Sequence, residues 1–95
     1  MDFVQTGPRL DIRLKRDFNL LTTRKIARLA EDADTICIDL LRSRIVDSEA
    51  LMLLYRLVRA DKKVILKNPP HILDEIIHIL GLEPVLDLEA LVEPG

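Results

Sequence analysis

Apolar and charged residues alternate strictly along residues 9–15, where the apolar positions are 10, 12 and 14. Strict alternation predicts a β-strand with one wet face, as in a strand at the edge of a sheet or antiparallel to its neighbour. Gly7 and Pro8 precede this segment and predict a turn. A short extended segment at the N-terminus is therefore expected to lead into the first clear strand.

Two segments then have apolar residues at the three- and four-residue spacing of an amphipathic helix. Asn19 or Thr22 can cap the first helix, which is predicted to end near Glu31. The second helix is predicted to begin at Asp47 and to end near Ala60. The predicted buried stripes are Ile26, Leu29 and Ala30 in the first helix, and Ala50, Leu51, Leu54, Leu57 and Val58 in the second.

A third helix is predicted between Pro70, whose ring fixes φ in the first turn, and Gly81, which supplies a left-handed end. After it, residues 85–88 predict a last short strand, and residues 88–92 predict an additional helical turn. The predicted inward-facing residues of the third helix are Leu73, Ile76, Ile77 and Leu80.

Short apolar runs at 35–40 and 64–66 lie between the predicted helices and predict strands buried on both faces. Strands that alternate with helices imply right-handed crossovers and a mostly parallel sheet. The alternating segment at 9–15 is the expected exception. The pattern therefore predicts a small α/β domain, with alternating helices on a mostly parallel sheet, as one domain over residues 1–95.

Composition supports this class, because 48% of the residues are hydrophobic and only 3% are aromatic. A net charge of −2 predicts no general affinity for nucleic acid. The charge is uneven, with excess basic residues at 1–30 and only acidic charges at 70–95. Either the two ends lie on different faces of one domain, or a weakly polar surface orients a partner or a second copy.

Cys37 is the only cysteine, which excludes a disulfide within the chain and predicts an inert buried thiol. The N-terminus lacks the basic and apolar regions of a signal peptide. No segment has the length of a membrane span. These features predict a cytoplasmic location and no membrane partner.

The run IDLLRSRIVDSEAL at residues 38–51 resembles the signature of STAS domains. That family includes anti-sigma-factor antagonists, stress-signalling scaffolds and the cytoplasmic tails of sulfate transporters. In its pattern, a strand ends in hydrophobic-Asp-hydrophobic; a short loop, an apolar pair, Asp-Ser at a helix start and a leucine three residues later follow. Residues 63–66 and 70–82 resemble the family's next strand and third helix, so the resemblance covers about residues 9–92.

The resemblance implies a non-enzymatic regulatory module that binds a protein, such as a serine kinase or an anti-sigma-type protein. Ser48 matches the serine that is phosphorylated in the antagonists. Glu49 replaces the second serine of their Asp-Ser-Ser-Gly-Leu-Gly pattern, and both glycines are absent. The residues expected to contact a partner are Arg42, Ser43, Arg44, Asp47, Ser48, Glu49, Met52 and Tyr55.

Other interpretations of the same residues stay open at this point. Asp47 and Ser48 would serve only as a helix cap if their oxygens accept the unpaired N–H groups of the first turn. The chain would then be a constitutive interaction or dimerisation module, with Glu49 as a permanent negative charge. We expect a monomer or a weak homodimer, and we predict neither a cofactor nor catalytic residues.

A small metal-binding protein or enzyme is the remaining alternative. His71, Asp74, Glu75 and His78 share one face of the third predicted helix, because residues three and four apart are neighbours. The wet side of an amphipathic helix explains the same pattern, and no further ligand lies nearby in the sequence. We therefore predict no metal site.

Overall fold

The structure is a computed structural model that describes residues 1–15 and 17–81. Its element order confirms the predicted alternation of strands and helices. The elements are β1 (Asp2–Thr6), β2 (Arg9–Arg13), α1 (Leu20–Ala30), β3 (Thr35–Asp39), α2 (Ser48–Arg59), β4 (Lys63–Lys67) and α3 (His71–Ile79). The strand predicted at 85–88 and the helical turn at 88–92 lie outside the described residues.

The four strands form one sheet in the order β1-β2-β3-β4. β1 is antiparallel to β2, whereas β2, β3 and β4 are mutually parallel. The chain therefore has the predicted α/β class with a mostly parallel sheet. Of the two arrangements predicted for β2, the antiparallel pairing with a neighbour is present, whereas the edge position is not, because β2 has a strand on each side.

The alternation of apolar and polar residues in β2 arises because the helices of the described residues cover only one face of the sheet. Right-handed crossovers between strands in consecutive order place the connecting helices on one face of the sheet. The side chains of β2, β3 and β4 that point to this face are buried, and they are Leu10, Ile12, Ile36, Ile38, Val64 and Leu66. The alternating side chains of β2 point to the opposite face, which is why they are polar.

One hydrophobic core joins this sheet face to all three helices. α1 contributes Ile26 and Ala30, and α3 contributes Leu73 and Ile77. α2 contributes more residues than the other helices and packs against α1 and β4. The buried residues of α2 are Ala50, Leu51, Leu53, Leu54 and Leu57.

Capping side chains define where the first two helices begin. Asn19 caps α1, since its side chain accepts hydrogen bonds from the backbone N–H groups of Leu21 and Thr22. The Thr22 hydroxyl in turn accepts from the Asn19 N–H at 3.0 Å, which completes a capping box. This settles the choice between Asn19 and Thr22 as the cap. Asp47 caps α2, as the sequence predicted.

α3 begins after Pro70, which has no capping side-chain hydrogen bond, and Gly81 follows its C-terminal end with φ of +66°. Gly81 therefore has the predicted left-handed conformation. Leu80 was expected to face the core but is about half exposed. Within the described residues, no helix combines the length and apolar composition needed to cross a membrane.

Candidate functional site

Ser48 is the first residue of α2, and its side chain is exposed to solvent. The acceptor that caps the helix is Asp47, whose Oδ1 accepts from the Ala50 N–H at 3.0 Å. Within residues 1–15 and 17–81, the Ser48 hydroxyl makes no hydrogen bond to the protein. Asp47 is therefore the residue that caps α2, and the Ser48 hydroxyl remains accessible at the helix start.

Asp47 also reaches the start of α1. Its Oδ2 accepts a hydrogen bond from the Leu20 N–H at 3.2 Å, across 27 residues of sequence. The Asp47 N–H donates to the Phe18 carbonyl at 3.1 Å, and the Phe18 N–H donates to the Ile45 carbonyl at 3.0 Å. These bonds form an isolated parallel bridge between Phe18 and Val46. The N-termini of α1 and α2 therefore lie side by side.

Asp17 holds the segment before Ser48 in place. Its Oδ1 accepts hydrogen bonds from the N–H groups of Arg44 and Ile45, each at 3.1 Å. Because these groups lie in the connection between β3 and α2, Asp17 fixes the backbone of that connection. We call residues 40–46 the β3–α2 loop.

The other end of the β3–α2 loop is anchored to the sheet. The Leu40 N–H donates to the Lys67 carbonyl at 2.9 Å. The Oδ1 of Asp39 accepts from the Leu41 N–H at 3.0 Å and from the Asn68 side-chain amide at 3.3 Å. The loop is therefore tied to β4 at its beginning and to residues 17–18 at its end.

The predicted contact residues occupy different environments. Arg42, Arg44 and Glu49 are exposed together with Ser48, and Asp47 is half-buried. Ser43 is only 3% exposed, and its N–H donates to the Leu40 carbonyl at 2.9 Å. The Ser43 side chain is therefore buried, unlike the arginines on either side of it.

The contact residues predicted on α2 differ in exposure as well. The Met52 side chain is 39% exposed. Tyr55 is half-buried, and the Arg59 guanidinium lies over its ring, 5.8 Å from the ring centre. Met52 therefore extends the exposed surface beyond Ser48, whereas Tyr55 presents only part of its ring.

Sequence analysis missed the apolar part of this surface. Leu41 is 70% exposed and Ile45 is 59% exposed, and they flank the segment that carries the two exposed arginines of the loop. Leu20 and Leu21 are exposed at the adjacent start of α1. The sequence signal that could have identified this apolar surface is the presence of apolar residues in a loop, outside any helical or strand pattern. We call the exposed side chains of the β3–α2 loop, the start of α1 and the first turns of α2 the loop surface.

The four polar residues of α3 are all exposed. Among the described residues, no group of three or more His, Cys, Asp or Glu side chains is placed to hold a metal ion. The structure thus shows His71, Asp74, Glu75 and His78 on the solvent side of an amphipathic helix.

Neither the protein-family models nor the curated proteins include a match to this sequence.

Proposed function

We propose that this chain is a STAS-type regulatory module that binds a protein partner through the loop surface and is switched by phosphorylation of Ser48. The partner class is a serine kinase or an anti-sigma-type protein. The observation that carries the proposal is the position of Ser48, which is exposed at the first residue of α2 while Asp47 does the capping. The resemblance of residues 38–51 to the STAS signature supplies the expected chemistry of this serine.

The make-up of the loop surface supports protein binding. The loop surface combines exposed leucines and an isoleucine with two exposed arginines, and Met52 adds a flexible apolar group. Arginine and methionine are enriched in protein interfaces, and burial of exposed apolar groups by a partner stabilises the complex. Arg42 and Arg44 favour a partner surface that carries carboxylates.

Phosphorylation of Ser48 would change this surface in a defined way. A phosphate adds about −1.5 to −2 charges at neutral pH. The start of a helix tolerates that charge, because its N–H groups carry partial positive charge. The phosphate would lower the positive charge that Arg42 and Arg44 present and would add bulk at the centre of the loop surface. We therefore expect phosphorylation to weaken binding of an acidic partner surface.

The chain offers a matched control for this proposal, because it has only two serines and the other one, Ser43, is buried. The full chain is incubated with an anti-sigma-type serine kinase from its own organism and labelled ATP. We expect label on the wild type and on Ser43→Ala, and none on Ser48→Ala. Binding of the kinase to the phosphorylated and unmodified chain is then measured by calorimetry, with at least about a tenfold loss expected on phosphorylation.

Label that persists on Ser48→Ala would contradict the proposed switch. If the kinase binds but adds no label, the chain is a constitutive interaction module. One observation favours that second function: Glu49 is exposed in the first turn of α2 and already places a negative charge beside Ser48. In that case Arg44→Glu weakens partner binding, whereas Ser48→Ala leaves it unchanged.

A further inference from the structure

The sheet face opposite the helices carries a row of alternating charges across all four strands. Asp2 is the register partner of Arg13, Arg13 of Asp39, and Asp39 of Lys67. Register partners point to the same face of a sheet, so the four side chains form one row with the sign sequence minus, plus, minus, plus. The same four residues line one shallow depression on this face.

Two further rows lie on the same face, two and four residues along each strand. The middle row is Val4, Asp11, Cys37 and Ile65, and the lower row is Thr6, Arg9, Thr35 and Lys63. The Arg9 guanidinium pairs with the Asp11 carboxylate at 3.1 Å, which links these two rows. We call this face the open face, and the row of alternating charges the upper row.

The helices of the described part of the chain pack on the opposite side of the sheet. Their buried residues share one core with the inward-facing residues of β2, β3 and β4. Cys37 is 3% exposed yet lies outside that core cluster, because it points to the open face. Among residues 1–15 and 17–81, no helix covers the open face.

We propose that the open face is the interface of a homodimer in which two copies of the sheet pack face to face. The two-fold axis runs parallel to the strands, between β2 and β3. This axis reverses the strand order and places each row opposite the same row of the second copy. In the upper row, Asp2 then meets Lys67 of the second copy, and Arg13 meets Asp39 of the second copy. All four facing pairs have opposite charge.

The other two rows are compatible with the same axis. In the middle row, Val4 faces Ile65 of the second copy, an apolar pair. In the lower row, the basic side chains face the hydroxyl groups of Thr6 and Thr35. No pair of like charges faces across the interface. The upper row is thus complementary in charge, and the other two rows, in which Asp11 faces Cys37 of the second copy, add no repulsion between charges.

A two-fold axis perpendicular to the strands gives the opposite result. It places the upper row against the lower row on the same strand, so that Arg13 meets Arg9 and Lys67 meets Lys63. Like charges that face each other destabilise a complex. The charge pattern therefore selects one orientation of the second copy, and this selectivity distinguishes the proposal from a general attraction between charged faces.

The size of the face predicts weak association. Strands about 4.8 Å apart with about 3.3 Å per residue give the face roughly 19 by 17 Å, or roughly 650 Å² for both copies together. Stable interfaces bury about 1,200 Å² or more. We therefore expect a Kd above about 10 µM. Because exposed ion pairs are screened by salt, dimerisation should be lost between about 0.01 M and about 1 M salt.

Exchange of the outer charged pair tests the proposal. Asp2→Lys brings two lysines together in its own homodimer, and Lys67→Glu brings two carboxylates together. A mixture of the two variants restores both attractive pairs. Sedimentation of the full-length chain at low salt should show dimers for the wild type and for the mixture. Each variant alone should show at least about a tenfold weaker association.

Controls with the same net charge separate this effect from charge alone. Arg28 and Asp32 are exposed residues of α1 and of the turn after it. Arg28→Glu and Asp32→Lys should each dimerise like the wild type. If circular dichroism shows that Lys67→Glu is unfolded, Arg13→Glu is tested by itself and not in the mixture, and this variant should be monomeric because residue 13 faces Asp39 of the second copy.

Three results would overturn the proposal. The first is a wild-type chain that stays monomeric at low salt, and the second is a mixture of the two variants that associates no better than its components. The third comes from carbodiimide cross-linking of a mixture of ¹⁵N-labelled and unlabelled chains. Cross-links from Lys67 to Asp2 of another copy support the dimer. Cross-links from Lys67 to acidic residues 83–93 of the same chain would assign the open face to the chain's own C-terminal segment.

Discussion

Asp47 contacts the first turns of two helices with the two oxygens of one carboxylate. Oδ1 accepts from the Ala50 N–H at the start of α2, and Oδ2 accepts from the Leu20 N–H at the start of α1. An ordinary N-cap satisfies donors of one helix only. A single side chain therefore couples the positions of both helices and of the exposed serine that follows it.

We predict that Asp47→Ala lowers the free energy of unfolding by about 1–3 kcal/mol, because both helices lose an acceptor. Asp47→Asn should cost less, since its amide retains one acceptor oxygen. Glu49→Ala is the matched control, because Glu49 is an exposed carboxylate in the same turn, and its effect should stay within about 0.5 kcal/mol. Urea unfolding of the three variants measures these differences. Equal losses for Asp47→Ala and Glu49→Ala would contradict the double cap.

At the residue scale, the sequence predicts only half of what Asp47 does. An aspartate before a helical apolar pattern is a local signal, so the cap of α2 could be predicted. The bond to Leu20 spans 27 residues, and the bonds of Asp17 to Arg44 and Ile45 span 27 and 28. Such contacts depend on the packing of α1 against α2, and no local pattern contains them.

At the scale of elements, the β3–α2 loop is held by side chains from outside it. Asp17 binds the N–H groups of Arg44 and Ile45, and Asp39 binds the N–H group of Leu41. The loop therefore presents its exposed apolar and basic side chains from a fixed backbone. A fixed backbone reduces the conformational entropy lost when a partner binds.

We predict that Asp17→Ala makes the β3–α2 loop mobile without unfolding the domain. The amides of Arg44 and Ile45 lose their acceptor, so they should exchange with solvent at least about tenfold faster. Asp34→Ala is the control, because the Asp34 side chain is exposed, and it should leave these two amides unchanged. Hydrogen exchange followed by NMR makes the comparison. Unchanged protection in Asp17→Ala would show that the loop is ordered by other contacts.

The elements themselves were largely predictable. The three-and-four spacing located all three helices, and continuous apolar runs located β3 and β4. The position of β2 in the sheet was not predictable from its alternation. An alternating strand has one wet face, and that condition holds for an edge strand and equally for an inner strand of a sheet covered on one side. Only the packing of the helices distinguishes these cases.

At the scale of the whole molecule, the sheet has a core face and an open face. Cys37 lies on the open face. Its thiol is buried although no helix of the described residues lies over it. Cys37 lines a depression on the open face together with Asp11 of β2 and Lys67 of β4. The thiol is therefore a probe of whether those strands stay closed in solution.

We predict that Cys37 in the native chain reacts with a disulfide reagent at least about 100-fold more slowly than in denaturant, since reaction requires local opening. In the Cys37→Ala background, a thiol introduced as Ala27→Cys on the exposed side of α1 should react rapidly. Absorbance of the released thiolate gives both rates. Native labelling of Cys37 as fast as that of the α1 thiol would show that the open face does not protect it.

The consecutive strand order has a consequence for how the chain acquires its structure. Each strand pairs with the strand that precedes it in the sequence. β1 and β2 pair locally, whereas the two parallel pairings each reach across one helix, as in Arg9 with Thr35 and Thr35 with Lys63. Pairings across one crossover give mixed α/β domains a contact order and a folding rate between those of helical bundles and all-β proteins. During synthesis, β1 and β2 are made first, and each later strand finds the strand with which it pairs already synthesised. The order of translation is thus also an order in which the sheet can grow.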